Sequence, residues 1–178
     1  DFLKAQELYP GNATVYHWFS FLRNNQGRSD EYYALLEKAH QLDPMSAVIR
    51  MNYAGALREF GRLEEALEQY EIILEIHPEF VRAYVPIANI QWKLLNRPDL
   101  AAQTYAKAIN LDTEQHYWYS YFAVLYLDLG EPERASLLLD RANELAPEHL
   151  KPIFETLLLH LYQQQAEGIA EDASAVLA

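Results

Sequence analysis

The sequence predicts an all-α fold of stacked antiparallel helix hairpins, on three observations. A short turn signature occurs five times, at Gly27 to Tyr32, Gly61 to Ala66, Asn96 to Ala101, Gly130 to Ala135 and Gly168 to Ala173; its first residues lie 34, 35, 34 and 38 positions apart. Between these signatures apolar residues recur three and four apart, the spacing of an amphipathic helix. Pro10, Pro44, Pro78 and Pro147 stand where a second helix should stop. A period near 34 in a helix-rich chain marks hairpins that bury their apolar faces only against their neighbours.

The elements follow in order, as one domain over residues 1–178. Residues 1–10, with Phe2, Ala5, Leu8 and Pro10, fit the end of a preceding repeat helix. The first repeat, 13–44, carries Tyr16, Phe19 and Ser20 on its first helix, then Ala39 and Pro44. The second, 47–78, places Val48, Met51, Tyr53, Ala54 and Leu57 on a first helix. Gly61 there tolerates the positive φ of a left-handed helix cap. Leu63, Ala66, Leu67, Tyr70, Ile73 and Leu74 then mark the second helix. The third repeat, 81–113, has Tyr84, Ile87, Ala88, Ala101, Tyr105 and Ala108, and one extra residue. The fourth, 116–147, shows Tyr119, Phe122, Ala123, Tyr126, Ala135, Leu139 and Ala142, and 150–178 reads as a partial fifth. Both flanks of the extra residue align without a gap, which places it between Ala88 and Trp92. An irregularity is expected over residues 86–92, as a π-bulge or a bend at Pro86.

These positions resemble the tetratricopeptide repeat (TPR) family: an aromatic, Leu and a small residue, then Tyr, on the first helix; Ala, an aromatic and Ala on the second; and a closing Pro. The small residues let two helices approach closely. Tyr32 in place of Ala, and Thr113 in place of Pro, depart from the pattern. The resemblance implies a right-handed α-α superhelix, a TPR solenoid, with first helices lining the concave side. An ordinary helical bundle is the alternative, but turn, small residue, aromatic and proline recur together. Leu3, Ile169, Val176 and Leu177 would leave apolar surface uncovered at the ends, so the chain is expected to be a piece of a longer protein.

Composition narrows the partners. The formal charge is −12, with fourteen basic residues scattered among twenty-six acidic ones; nucleic acid, which is bound by neutralising phosphates, is not expected. The apolar run Ile153 to Tyr162 is too short to cross a bilayer and holds Glu155 and His160, so no membrane insertion is expected. No cysteine is present, which suits a cytoplasm or a bacterial periplasm alike. The histidines at 17, 40, 77, 116, 149 and 160 give no metal-binding pair, no phosphate loop or catalytic motif is present, and neither an enzyme nor a cofactor is expected. His40 and His77 end second helices, where a cation favours the dipole. Glu64, Glu65, Glu68, Glu71 and Glu75 read as a solvated face.

On the face that the resemblance makes concave, the candidates for partner binding are His17, Trp18, Phe21, Asn24, Asn52, Arg58, Arg82, Asn89, Lys93, Tyr117 and Tyr121. Trp18, Phe21, Tyr117 and Tyr121 are the expected anchors, since aromatics and Arg dominate hot spots; Trp18 and Trp92 have packing between repeats as their other reading. Chaperone-adaptor members of the family clamp a C-terminal carboxylate with five polar residues. The matching positions here are His17, Phe21, Asn52, Arg82 and Pro86, of which only Asn52 and Arg82 suit, so that clamp is disfavoured. The expected function is a non-catalytic protein–protein interaction module that holds a peptide or partner segment. Asn12 to Phe19 and Leu42 to Ile49 look like repeats attached to bacterial regulators. The alternatives are a self-association scaffold, as in a homodimer, or the substrate-recruiting arm of an enzyme whose catalytic domain lies outside this segment.

Overall fold

The computed structural model describes residues 2–146, and these form helices joined by short turns. They are α1 (Phe2–Leu8), α2 (Ala13–Asn25), α3 (Ser29–Leu42), α4 (Ala47–Glu59), α5 (Leu63–Ile76), a 3-10 turn (Val81–Ala83) leading into α6 (Tyr84–Lys93), α7 (Pro98–Leu111), α8 (His116–Asp128) and α9 (Pro132–Leu145). The expected partial repeat at 150–178 lies outside the described residues, as does the fifth turn signature. The chain divides into two compact units, Asp1–Ile90 and Gln91–Ala178.

In the first unit each helix packs on the next, from α1 to α5 and the 3-10 turn. Its core joins Ala54, Leu57, Ala66, Tyr70, Ile73, Ala83, Ile87 and Ile90. In the second unit α7 packs on α8 and α8 on α9, with Ala123, Leu127, Ala135 and Leu139 buried between the last two. The alanines at the helix crossings, among them Ala39, Ala66, Ala108 and Ala135, are wholly buried.

Helix ends repeat as faithfully as the core. Asn12 caps α2 by accepting from the Thr14 amide at 3.0 Å, and Ser46 caps α4 through the Ile49 amide at 3.4 Å. The second helices lack a side-chain cap. Instead Arg28 pairs with Glu31, Arg62 with Glu65 and Arg97 with Asp99, placing acids in the first turn where the helix dipole favours them. The fourth repeat reverses the signs, with Glu131 at the cap position and Arg134 three residues on. Pro98 and Pro132 open α7 and α9 without leaving an unused amide.

A tie between repeats recurs that the sequence pattern did not explain. The hydroxyls of Tyr16, Tyr84 and Tyr119 donate to the carbonyls of Pro10, Pro78 and Thr113, at 3.1, 3.3 and 3.1 Å. At the same position in the second repeat stands Arg50, whose Nη2 donates to the Pro44 carbonyl at 2.6 Å and whose Nη1 donates to Gln69 Oε1 at 2.5 Å. Arg50 is 8% exposed, with both terminal nitrogens hydrogen-bonded. The acceptor in each case is a backbone carbonyl, so Thr113 serves as well as proline.

The extra residue of the third repeat is not where the alignment put it. α6 is regular over 84–93, and the connection to α7 is lengthened instead, to 94–97. In the other repeats the amides of Arg28, Arg62 and Glu131 close the turn onto the carbonyls of Arg23, Leu57 and Tyr126, five residues back. Arg97 closes onto Gln91, six back, at 2.7 Å. A turn absorbs a residue without breaking a hydrogen-bond ladder; a helix does not. Pro86 acts upstream of itself: it lacks the amide that the Arg82 carbonyl would take, and the first turn tightens to 3-10 geometry, with Ala83 bonded to Phe80.

Each turn passes through one left-handed residue, at Gly27, Gly61 and Gly130 (φ 71, 75 and 71) and at Asn96 (φ 52). A Cβ at Gly61 would meet nothing within 4 Å, so the penalty of a side chain there is conformational alone. Gly61→Ala is expected to destabilise the fold by about 1–2 kcal/mol, while Asn96→Gly should be neutral or mildly stabilising; urea unfolding followed by circular dichroism measures both.

Candidate partner-binding surface

The two units present their first-helix residues separately. In the first unit, residues three and four apart on α2 bring His17, Trp18 and Phe21 to one face. The His17 ring lies 5.1 Å from Phe21, edge-on, and 5.7 Å from Trp18; Trp18 and Phe21 are 5.9 Å apart. His17 itself is 7% exposed, and the Ser20 hydroxyl donates to its carbonyl at 2.7 Å.

The next first helix, α4, joins this cluster through Asn52. Its Nδ2 donates to His17 Nε2 at 2.7 Å. A ring nitrogen that accepts carries no proton, so His17 is neutral with its hydrogen on Nδ1. Burial lowers its pKa in the same direction. The result is an uncharged, rigid patch whose outermost element is Trp18, 58% exposed. Trp18 therefore does not pack away between repeats.

The structure thus brings His17, Trp18, Phe21 and Asn52 into direct contact. The other candidates of this unit sit apart along the helices. Asn24, in the last turn of α2, is exposed and lends its carbonyl to the Gly27 amide at 2.9 Å. Arg58, near the end of α4, and Arg82, in the 3-10 turn, have exposed side chains, and Asn89 is half-buried on α6.

In the second unit the Lys93 ammonium lies 4.5 Å over the half-buried Trp92 ring. Tyr117 is half-buried and meets the buried Trp118 edge-on at 4.2 Å, and Trp118 Nε1 donates to Asp112 at 3.2 Å. Tyr117 serves packing in part. Tyr121, 45% exposed, is the open aromatic of α8.

Among the described residues no group of acids and histidines could hold a metal, and no helix is long and apolar enough to cross a membrane. His40 departs from the dipole expectation. It stacks on Tyr53 at 4.9 Å and 17°, and burial together with the nearby Arg50 charge lowers its pKa. The dipole attraction at that helix end is outweighed by lost solvation. The acids at 64, 68, 71 and 75 on α5 are exposed, while Glu65 is held by Arg62. What the sequence did not reveal is the His17–Asn52 bond, between residues 35 apart; the only signal was a polar residue beside an aromatic on two successive first helices.

Residues 25–85 match the Tetratricopeptide repeat family. Over 124 residues the chain is 31% identical to the human protein O-mannosyl-transferase TMTC3, a match covering 68% of this chain and 13% of the transferase. The chain thus spans only a small part of the curated relatives it matches. Among solved structures, TTC0263, a thermophilic TPR protein of Thermus thermophilus, superposes with a TM-score of 0.73 at 20% identity, covering 89% of this chain and 87% of that one. YrrB, a TPR protein with an unusual peptide-binding site, gives 0.65 at 20% identity over 92% and 84%. The chain is a tetratricopeptide repeat protein with the all-α fold of that family, and a protein–protein interaction module.

Because His17 and His40 have lowered pKa values in the folded state, the unfolded chain binds protons first as pH falls. Stability is therefore full above the unfolded histidine value near 6.5 and is lost on acidification through the folded values. His17→Gln is expected to flatten the fall in melting temperature between about pH 7 and 5, leaving the share due to His40; an unchanged profile would show that His17 titrates normally.

Proposed function

We propose that this tetratricopeptide repeat protein grips a peptide or extended segment of a partner protein on the first-helix face of its first unit, without catalysing a reaction. The observation that carries this is the exposed Trp18 indole, held at a fixed angle by Phe21 and by the His17–Asn52 bond. A large aromatic left in water on a rigid, neutral support is the composition of a binding hot spot. Its support is already ordered, so little freedom is lost on binding. An apolar or aromatic side chain of the partner would lie against Trp18 and Phe21. In the second unit, Tyr121 and Lys93 are the matching candidates for further contacts.

A second reading, that the repeats recruit substrate for an attached enzyme, is favoured by the likeness to the mannosyl-transferase. In that setting, deleting the repeats from the full-length enzyme should raise KM for a protein acceptor and leave kcat on a short peptide acceptor unchanged. A setting within a bacterial regulator rests only on the look of two sequence stretches, Asn12 to Phe19 and Leu42 to Ile49.

The test is selection of peptides from a phage-displayed random library on the wild-type protein, followed by fluorescence polarisation with synthetic copies. Trp18→Ala should weaken binding at least about tenfold, the scale of a hot-spot truncation, with the helical circular dichroism spectrum intact because Trp18 is exposed. Equal affinity for wild type and variant would refute the assignment of this face.

A further inference from the structure

Gly55 stands in the middle of α4 without a structural need for glycine. It is helical and has no positive φ. A Cβ built there would meet only the Tyr70 hydroxyl, at 3.8 Å, an ordinary contact. Alanine is the better helix former at such a position. What glycine does instead is leave a notch in the helix surface, with the phenol oxygen of Tyr70 at its floor.

That oxygen is unusual. The Tyr70 side chain is 2% exposed, yet its hydroxyl makes no hydrogen bond among the described residues. It is also not one of the atoms sealed from solvent, so it reaches the surface at the notch. Burial pushes its pKa up, which keeps the proton on and makes it a donor at neutral pH. A hydroxyl that reaches the surface with no protein partner among the described residues is free to donate to water or to a ligand.

A positive charge completes the place. Arg58, one turn beyond Gly55, is exposed and acts electrostatically on the Tyr70 hydroxyl. Six other arginines among the described residues pair with carboxylates. Arg58, like Arg50 and Arg82, pairs with no carboxylate among the described residues, although Glu59 follows it and bears on the same hydroxyl. One turn before Gly55, Asn52 gives its nitrogen to His17 and keeps its Oδ1 as an acceptor for a peptide amide.

We infer that the notch over Gly55 is an acid-reading subsite: a glutamate side chain of the bound segment enters it, accepts a hydrogen bond from the Tyr70 hydroxyl and neutralises Arg58. The inference rests on the peptide-binding role of this face and names the chemistry of its partner, an acidic segment that also carries an aromatic for Trp18 and Phe21. Hydrogen bonds to charged acceptors are the strong ones, so the notch would discriminate glutamate from its neutral isostere.

The test compares fluorescein-labelled (Phe-Ala-Glu)3 with (Phe-Ala-Gln)3 by fluorescence polarisation. Wild type should bind the glutamate peptide at least tenfold more tightly. Tyr70→Phe and Arg58→Met should each shrink that preference below threefold, and Gly55→Leu, by filling the notch, should remove it. Tyr70→Phe should hold its melting temperature, since the hydroxyl has no partner to lose, and Gly55→Ala should hold or raise it. Equal affinity for the two peptides, no binding of either, or a preference that survives Tyr70→Phe would overturn the subsite. Library-selected peptides that still depend on Trp18 would then leave the wider reading of this face standing.

Discussion

The closeness of helix to helix at wholly buried alanines governs the rest of this structure. Ala39, Ala54 and Ala66 in the first unit, and Ala101, Ala108, Ala123, Ala135 and Ala142 in the second, have no surface left to water. At each crossing one methyl group sets the distance, and a larger side chain would force the backbones apart. Close crossings oblige the long side chains, among them Tyr32, Leu36, Tyr70, Tyr105 and Leu139, to fill the layers above and below. They also bring successive first helices near enough for His17 to reach Asn52 directly. The proposed binding face is thus a by-product of alanine packing: its support comes from below.

The same closeness explains the ties at the repeat junctions. A second helix must end and the next first helix begin within a few residues, leaving carbonyls at Pro10, Pro44, Pro78 and Thr113 short of partners. A tyrosine hydroxyl six residues on supplies the donor in three junctions and the Arg50 guanidinium in one. Each such bond contributes on the order of 1 kcal/mol. Each bond ties the end of one second helix to the first helix that follows it.

Features that admit few residue types were legible in the sequence. A left-handed turn admits Gly or Asn, so Gly27, Gly61, Asn96 and Gly130 announced their turns; close crossings admit Ala or Ser, so the helix pairs were visible too. The extra residue of the third repeat was visible as a count but misplaced. Alignment weighs side chains, whereas the choice between helix and turn was made by the backbone ladder of α6. The junction tie was hidden at Arg50 because an arginine does not look like a tyrosine, though the donor is equivalent. At the proposed binding face, repeat position was informative and bonding was not. Trp18 and Tyr121 hold the same place on two first helices and both are open, whereas Trp118 stands where Val15 does and is buried on Asp112. The His17–Asn52 bond depends on the neighbouring helix, and a periodic pattern does not encode it.

Places where a sequence breaks its own local rules carry more information about use than places where it keeps them. Here the violations gather on one helix pair and its neighbour. α4 holds a glycine where alanine would serve the helix better, and an arginine with no carboxylate partner among the described residues of a chain with a net charge of −12. α5 ends a buried tyrosine in a hydroxyl with no protein partner among the described residues, and α2 leaves a tryptophan in water. None of these choices helps the fold, and selection for stability alone would remove them cheaply by single substitutions. The outward row of glutamates on α5 differs in kind: repulsion between exposed like charges a turn apart is small and screened, so it asks for no ligand. A surface shaped only by solubility would look like that row throughout. The face formed by Trp18, Asn52, Gly55 and Arg58 does not, and the physical difference between the two faces of one hairpin is the strongest reason to place recognition on the first helices.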